Sequence, residues 1–183
     1  MSQVLLVIDM QQFVSQRIAQ GIGYYPTDSI AHMRQLLAHY RASGGPVIHI
    51  HHHTPAAGSA LQAGSVAALP VDGFEPQAGE PVFIKHTSSA FSQPDVLSYL
   101  RTQRLNAIQV IGAVAGFCVN STVRAGADAG FDMTIVCDAV ISFDLASPPL
   151  TAQTLHEVTL GLLGADFARV TTTEAWLAAH ETA

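Results

Sequence analysis

Six short apolar runs, separated by stretches with helical periodicity and turn residues, constrain this chain more than any other feature. QVLLVID (3–9), PVIHI (46–50), PVFIK (81–85), AIQVIGA (107–113), DMTIVCDAV (132–140) and ARVTT (168–172) carry β-branched and leucine residues in succession. They lack polar alternation, which is the pattern of strands buried on both faces. Between them, 27–43 opens on Thr27 or Asp28 as a helix cap and stops at Gly44 and Gly45, and 92–103 opens on Ser92. The stretch 118–130 closes on Gly130, 147–164 opens on Ser147 with prolines in its first turn, and 172–183 is the last helix. This alternation predicts an α/β fold, a doubly wound, mostly parallel six-stranded sheet with helices on both faces. Residues 53–80 read as a long loop rich in Ala, Gly and Pro, a length that in compact domains belongs to lids or subunit contacts.

A chain of 183 residues with 49% hydrophobic and 12% charged residues suits one domain with a single sizeable core. A net charge of -6 with no basic run argues against nucleic acid or an anionic membrane as partner and points to a small molecule. No charged leader precedes a hydrophobic segment, and no apolar run approaches the length of a membrane span, so a cytoplasmic protein is expected. There Cys118 and Cys137 remain thiols. High apolar content and the long loop suggest surface buried between subunits. GIGYYP (21–26) lacks the third glycine of a dinucleotide-binding turn, and no phosphate-binding Walker motif is present.

In doubly wound sheets, ligands bind outside the carboxyl ends of the strands. Asp9 ends the first predicted strand, Lys85 ends the third, and Cys118 follows the fourth within GAVAGFC. Each alone is weak, since an aspartate after a strand is commonly a turn residue. Lys85 is nevertheless the only lysine in the chain, placed where a solubilising charge is least needed. A compact ammonium beside a carboxylate or thiolate is a role that arginine's broad fork fills poorly. Cys118 is expected to open a helix, where backbone N–H groups and the macrodipole favour a thiolate. The set suits acyl transfer, with Cys118 attacking a carbonyl, Asp9 moving the proton and Lys85 holding both charges.

At VIDMQQF, KHTSSAF and GAVAGFCVNSTVRAGADAGFDMTIVCDAV the chain resembles the isochorismatase-like cysteine hydrolases, which include nicotinamidases and carbamoylsarcosine amidohydrolase. The resemblance runs nearly the whole chain and implies a Rossmann-like, three-layer fold. It implies that Asp9, Lys85 and Cys118 form the catalytic triad, and that the N–H groups of Val114 and Cys118 form the oxyanion hole beside a cis peptide between Ala113 and Val114. It also implies that Phe13 and Phe117 line the substrate pocket, and that the chain is a homodimer or homotetramer. Many relatives carry a threonine and an aspartate where this chain has Ala115 and Gly116. Nicotinamidases bind a divalent metal through an Asp-Trp-His-Pro motif, where this chain reads HIHHHTP. His49, His51 and His53 would share one side of a strand with no carboxylate nearby, so no metal or other cofactor is expected. His51, near the strand end, is expected to face substrate.

The leading expectation is a metal-independent hydrolase cleaving the C–N bond of a small amide or carbamoyl compound through a Cys118 thioester. Two alternatives stay open on the same fold: an ether C–O hydrolase that needs no cysteine nucleophile, and a domain that binds a small molecule without turning it over.

Overall fold

Successive apolar residues bury β1 (Gln3–Ile8) on both faces and place it at the centre of the sheet. The computed structural model describes residues 3–147 and 149–180. The elements that follow β1 are α1 (Gln12–Ala19), β2 (Tyr24–Tyr25), α2 (Ser29–Ser43), β3 (Val47–His52), β4 (Val82–Lys85), α3 (Pro94–Thr102) and β5 (Ala107–Ala113). Then come α4 (Asn120–Asp128), β6 (Asp132–Phe143), β7 (Leu145–Ala146), β8 (Pro149–Leu150), α5 (Ala152–Asp166), β9 (Arg169–Thr171) and α6 (Thr173–His180). The sheet runs β2-β6-β5-β1-β3-β4, and β9 also pairs with β6. All pairings in it are parallel except that of β2 with β6.

The three-layer α/β architecture is as expected, with two corrections of detail. The sheet has seven strands, not six. The extra one, β2, is a two-residue strand inside GIGYYP that pairs with Ser142 and Phe143 at the far end of β6, while β9 pairs with Thr134–Val136 nearer its start. A strand so short leaves no apolar run to announce it. The second correction is α1, which follows β1 almost at once and is capped by Gln11 without a side-chain hydrogen bond, so it carries no capping signature.

Helix starts shift elsewhere for local reasons. Ser147 does not open α5, because Leu145–Ala146 and Pro149–Leu150 pair as a small hairpin first. The helix begins at Ala152, capped by Thr151, whose side chain accepts the Thr154 N–H at 3.1 Å. Pro148 lies outside the described residues, as do residues 181–183 of the last predicted helix. Likewise α3 begins at Pro94, after a 3-10 turn over Ala90–Ser92.

Alternation along β1 divides the core. Val4, Leu6 and Ile8 pack with Val96, Leu100, Val123 and Leu163 from α3, α4 and α5. Leu5 and Val7 pack with Val14, Met33, Leu37 and Leu177 from α1, α2 and α6. Where β5 comes alongside the end of β1, Gly112 has φ 124°, and any Cβ there would run into the carbonyl oxygen of Ile8.

The long loop is a packed strap. Its own Ala67, Ala68, Val71 and Phe74 are buried against the body of the protein. The Gln12 N–H donates to the Leu69 carbonyl at 2.7 Å and the Val71 N–H donates to the Met10 carbonyl at 2.9 Å, which ties the strap to the chain just beyond β1. Its far end is held by Glu80, which accepts two bonds from Arg41 of α2, each at 2.8 Å, and one from His49 Nε2 of β3 at 2.8 Å. Burial alone would raise the Glu80 carboxyl, but Arg41, the Gln77 N–H and His49 together hold it at about 2, well under its ordinary 4.5. Because the folded value is depressed, the stabilisation is present above pH 4.5 and lost as pH falls toward 2. Glu80→Gln is therefore expected to lower stability at neutral pH by about 2–3 kcal/mol and to flatten that acid limb, measured by urea unfolding across pH. An unchanged acid limb would show that Glu80 is not its source.

Candidate active site

The chain leaves β1 toward β3 on one side and later returns to place β5 on the other. The crevice between the carboxyl ends of β1 and β5 is thus the switch point where such sheets bind ligands. Asp9 turns the chain there, with φ 50°, a left-handed conformation that aspartate tolerates better than most residues. The Asp9 N–H donates to the Ile50 carbonyl at 2.8 Å, and the Asp9 carbonyl accepts the Gln11 N–H at 2.8 Å. On the other side of the crevice, β5 runs through a cis Ala113–Val114 peptide into a π-helical turn, Ala115–Val119, that carries Cys118 into α4.

Lys85 comes from β4, two strands away from β1, a separation of roughly 10 Å. Its long unbranched stem passes the end of β3 to reach the crevice, and the residue is fully buried. The Nζ lies 2.8 Å from Asp9 Oδ2, 3.1 Å from Cys118 Sγ, 3.1 Å from His52 Nδ1 and 3.3 Å from the Thr87 carbonyl. The three residues predicted from the strand ends are therefore brought together, joined through the ammonium.

Burial raises the Asp9 carboxyl above its ordinary value, with Lys85 opposing. Its Oδ1 is buried and has no hydrogen-bond partner. Burial, and then the Asp9 charge, push the Cys118 thiol up to about 11. This corrects the expectation of a resting thiolate at a helix start: near neutral pH the sulfur keeps its proton. Burial lowers His52 as well, so its neutral Nδ1 can accept from Lys85.

These groups open onto a cavity of about 300 Å³ lined mainly by apolar side chains, among them Phe13, Val14, Phe117, Phe143 and Leu61 of the strap. Phe13 and Phe117 thus line this cavity, whereas His51, expected from its place near the strand end to face substrate, does not. Side chains on β3 alternate, so His51 turns with His49 to the other face, ring centroids 6.3 Å apart, and burial pushes it down to about 4. His52, in register with Lys85, is the histidine that lines the cavity. The histidine run held the right element and the wrong neighbour, because nothing in HIHHHTP marks which face is which.

Gln11, buried and unremarked in the sequence, joins the site to the strap. Its Nε2 donates to the carbonyls of His52 at 3.1 Å and Ala68 at 2.9 Å, and its Oε1 accepts the His52 N–H at 2.8 Å. Among the described residues, one group of three possible metal ligands lies close together: Asp9, His52 and Cys118, with donor atoms within 4.8 Å of one another. The Lys85 ammonium bonds all three, so the positive charge of that cluster is supplied by the protein itself. No described helix is long and apolar enough to cross a membrane.

A family model described as the isochorismatase domain matches residues 3–175. The chain is 34% identical over 125 residues to a secreted isochorismatase effector, Isc1, of Verticillium dahliae. That alignment covers 68% of this chain and 65% of the relative, so it spans just under two thirds of the fungal protein's length. An isochorismatase-family crystal structure from Chromobacterium violaceum superposes with a TM-score of 0.92 at 28% identity, covering 100% of this chain and 95% of that one. A cysteine hydrolase structure from Pseudomonas syringae pv. phaseolicola shares the fold, with a TM-score of 0.85 at 21% identity over 98% of this chain and 92% of its own.

Proposed function

We propose, from the premise that this chain belongs to the isochorismatase family of hydrolases, that it is a cysteine hydrolase acting on the C–N bond of a small amide or carbamoyl compound. The observation that carries this reading is the buried Lys85 ammonium in contact with both the Asp9 carboxylate and the Cys118 sulfur. The cysteine hydrolase name of the fold neighbour from Pseudomonas syringae accords with it.

The chemistry follows from the resting charges. Cys118 is a thiol, and Asp9 has a free carboxylate oxygen, raised above the usual carboxyl range and so a stronger base than an exposed aspartate. As sulfur bonds to the substrate carbonyl carbon, the thiol proton passes to Asp9, and Lys85 offsets the negative charge moving between the two groups. The carbonyl oxygen becomes an oxyanion, stabilised by the N–H groups of Val114 and Cys118, where each preorganised donor contributes on the order of 10²–10³ in rate. Asp9 returns the proton to the departing nitrogen as the C–N bond breaks, leaving a thioester. Water, deprotonated by Asp9, attacks the thioester carbon, the acid leaves and Cys118 recovers its proton.

The test is ammonia release from a panel of primary amides and carbamoyl compounds, combined with acid quenching and mass analysis of the Cys118 peptide. Turnover with an acyl adduct on Cys118 is expected. A second reading, cleavage of an ether C–O bond, draws on the name of the Verticillium dahliae relative, an isochorismatase effector. Turnover of a vinyl ether with no adduct on Cys118, and no ammonia from any amide, would replace the first reading by the second.

A further inference from the structure

Arg17 takes no part in the steps above, yet it lines the same cavity. It lies one turn beyond Phe13 on α1, roughly 6 Å along the helix axis, so the two share the cavity-facing side of the helix with Val14. Its guanidinium carbon stands 5.5 Å from the centre of the Phe13 ring and 4.9 Å from that of Phe143. Two aromatic rings therefore hold the group in place without using its hydrogen bonds. Its Nε is buried with no hydrogen-bond partner, and among the described residues no carboxylate lies within ion-pair distance of it. By contrast, Arg34, Arg41, Arg124 and Arg169 each donate to an acceptor elsewhere in the chain.

A buried donor without a partner costs the desolvation of that group, and more so when the group is charged. A guanidinium held between two rings at the wall of an apolar cavity is accounted for by an acceptor that arrives with the substrate. We infer that Arg17 is a specificity-determining residue that binds a carboxylate of the substrate, carried on an apolar body beyond the bond to be cleaved. The planar fork matches a carboxylate with two parallel hydrogen bonds. The cavity, about 300 Å³, has room for one ring or a short chain between the two polar ends, since an apolar cavity of ~150 Å³ holds benzene. Which end is cleaved rests on the hydrolase reading; the anion site does not.

The test reads Arg17 without turnover. A series of chloroacetamides carries a carboxylate at increasing distance from the reactive carbon, each paired with its methyl ester, and the sulfur of Cys118 displaces chloride. Rates at Cys118 are followed by peptide mapping, with Cys137, also a free thiol, as the internal reference. At the matching length the carboxylate is expected to react roughly ten- to a hundredfold faster than its ester at Cys118 and to show no such preference at Cys137. Arg17→Gln is expected to bring the ratio at Cys118 down to that at Cys137, and Arg17→Lys to leave an intermediate ratio. Loss of ring packing alone would slow both members of a pair and leave the ratio intact. A ratio that persists in Arg17→Gln, an absence of carboxylate preference at every length, or no reaction at Cys118 with any reagent overturns the inference. Failure of ammonia release, with the ratio behaving as expected, overturns the amide reading and leaves the anion site standing.

Discussion

Cys118→Ala is expected to reduce amide hydrolysis by at least about 10⁴-fold, because it removes the atom on which the proposed covalent intermediate would form. The substitution deletes one half-buried sulfur from a turn whose backbone bonds, Phe117 N–H and Val119 N–H to the Val114 carbonyl, do not involve it. Folding should therefore persist, and circular dichroism with a thermal melt checks this. Cys118→Ser tests the same point by another route, since a hydroxyl without an activated partner is a far weaker nucleophile. Steady-state ammonia release gives the rate. If Cys118→Ala retained turnover within about tenfold of wild type, C–N cleavage would not pass through sulfur, and Asp9 would have to activate water against the amide directly.

The second large effect concerns the buried pair at 2.8 Å between Asp9 and Lys85. Asp9→Asn leaves a fully buried ammonium without its anion, and Lys85→Met leaves a buried carboxylate without its cation. Either single change is expected to cost about 3–5 kcal/mol of stability and to abolish hydrolysis to within background. The double variant behaves differently. Burial outweighs Lys85 in setting the Asp9 carboxyl, which lies above its ordinary 3.8. A raised folded value means the group's favourable contribution is present below pH 3.8 and lost as pH rises through the folded value, so at neutral pH the ionised Asp9 subtracts from stability. Asp9→Asn with Lys85→Met is thus expected to regain most of what each single variant loses, ending within about 1 kcal/mol of wild type or above it, while remaining inactive. Urea unfolding of the four proteins at pH 7 gives the coupling directly. Losses that simply add would show that the two charges do not depend on each other. A stable but inactive double variant would show that the site is kept charged for chemistry, against the preference of the core.

The residues most readily read from the sequence are those whose place follows from strand ends alone. Asp9, Lys85 and Cys118 each terminate or follow an apolar run, and a parallel sheet brings such ends to one edge whatever the loops do. His52 was harder, since a buried strand has no polar alternation to set its register, and a shift of one position exchanges it with His51. Arg17 was hidden for a different reason. It acquires a face only once α1 exists, and α1 starts at Gln12 with no capping side chain and only three residues after β1. The resting state of Cys118 escaped because the helix start is local and visible, whereas the burial and the Asp9 charge that oppose it come from distant parts of the chain. The β7–β8 hairpin shows the same limit at short range, since prolines near Ser147 suit a helix start and a hairpin alike.

The strap is fastened beside the reactive groups by main-chain bonds, Gln12 to Leu69 and Val71 to Met10, which any residue but proline could supply on the donating side. Its tip contributes Leu61 to the cavity, and among the described residues that segment makes no such ties to the side chains of Asp9, Lys85 or Cys118. Descendants of this chain can therefore exchange residues at the tip, and with them the shapes of molecule admitted, while the fastening and Asp9, Lys85 and Cys118 stay as they are. The same division offers a practical library: randomising the tip around Leu61 is expected to change which compounds enter and leaves Asp9, Lys85 and Cys118 untouched.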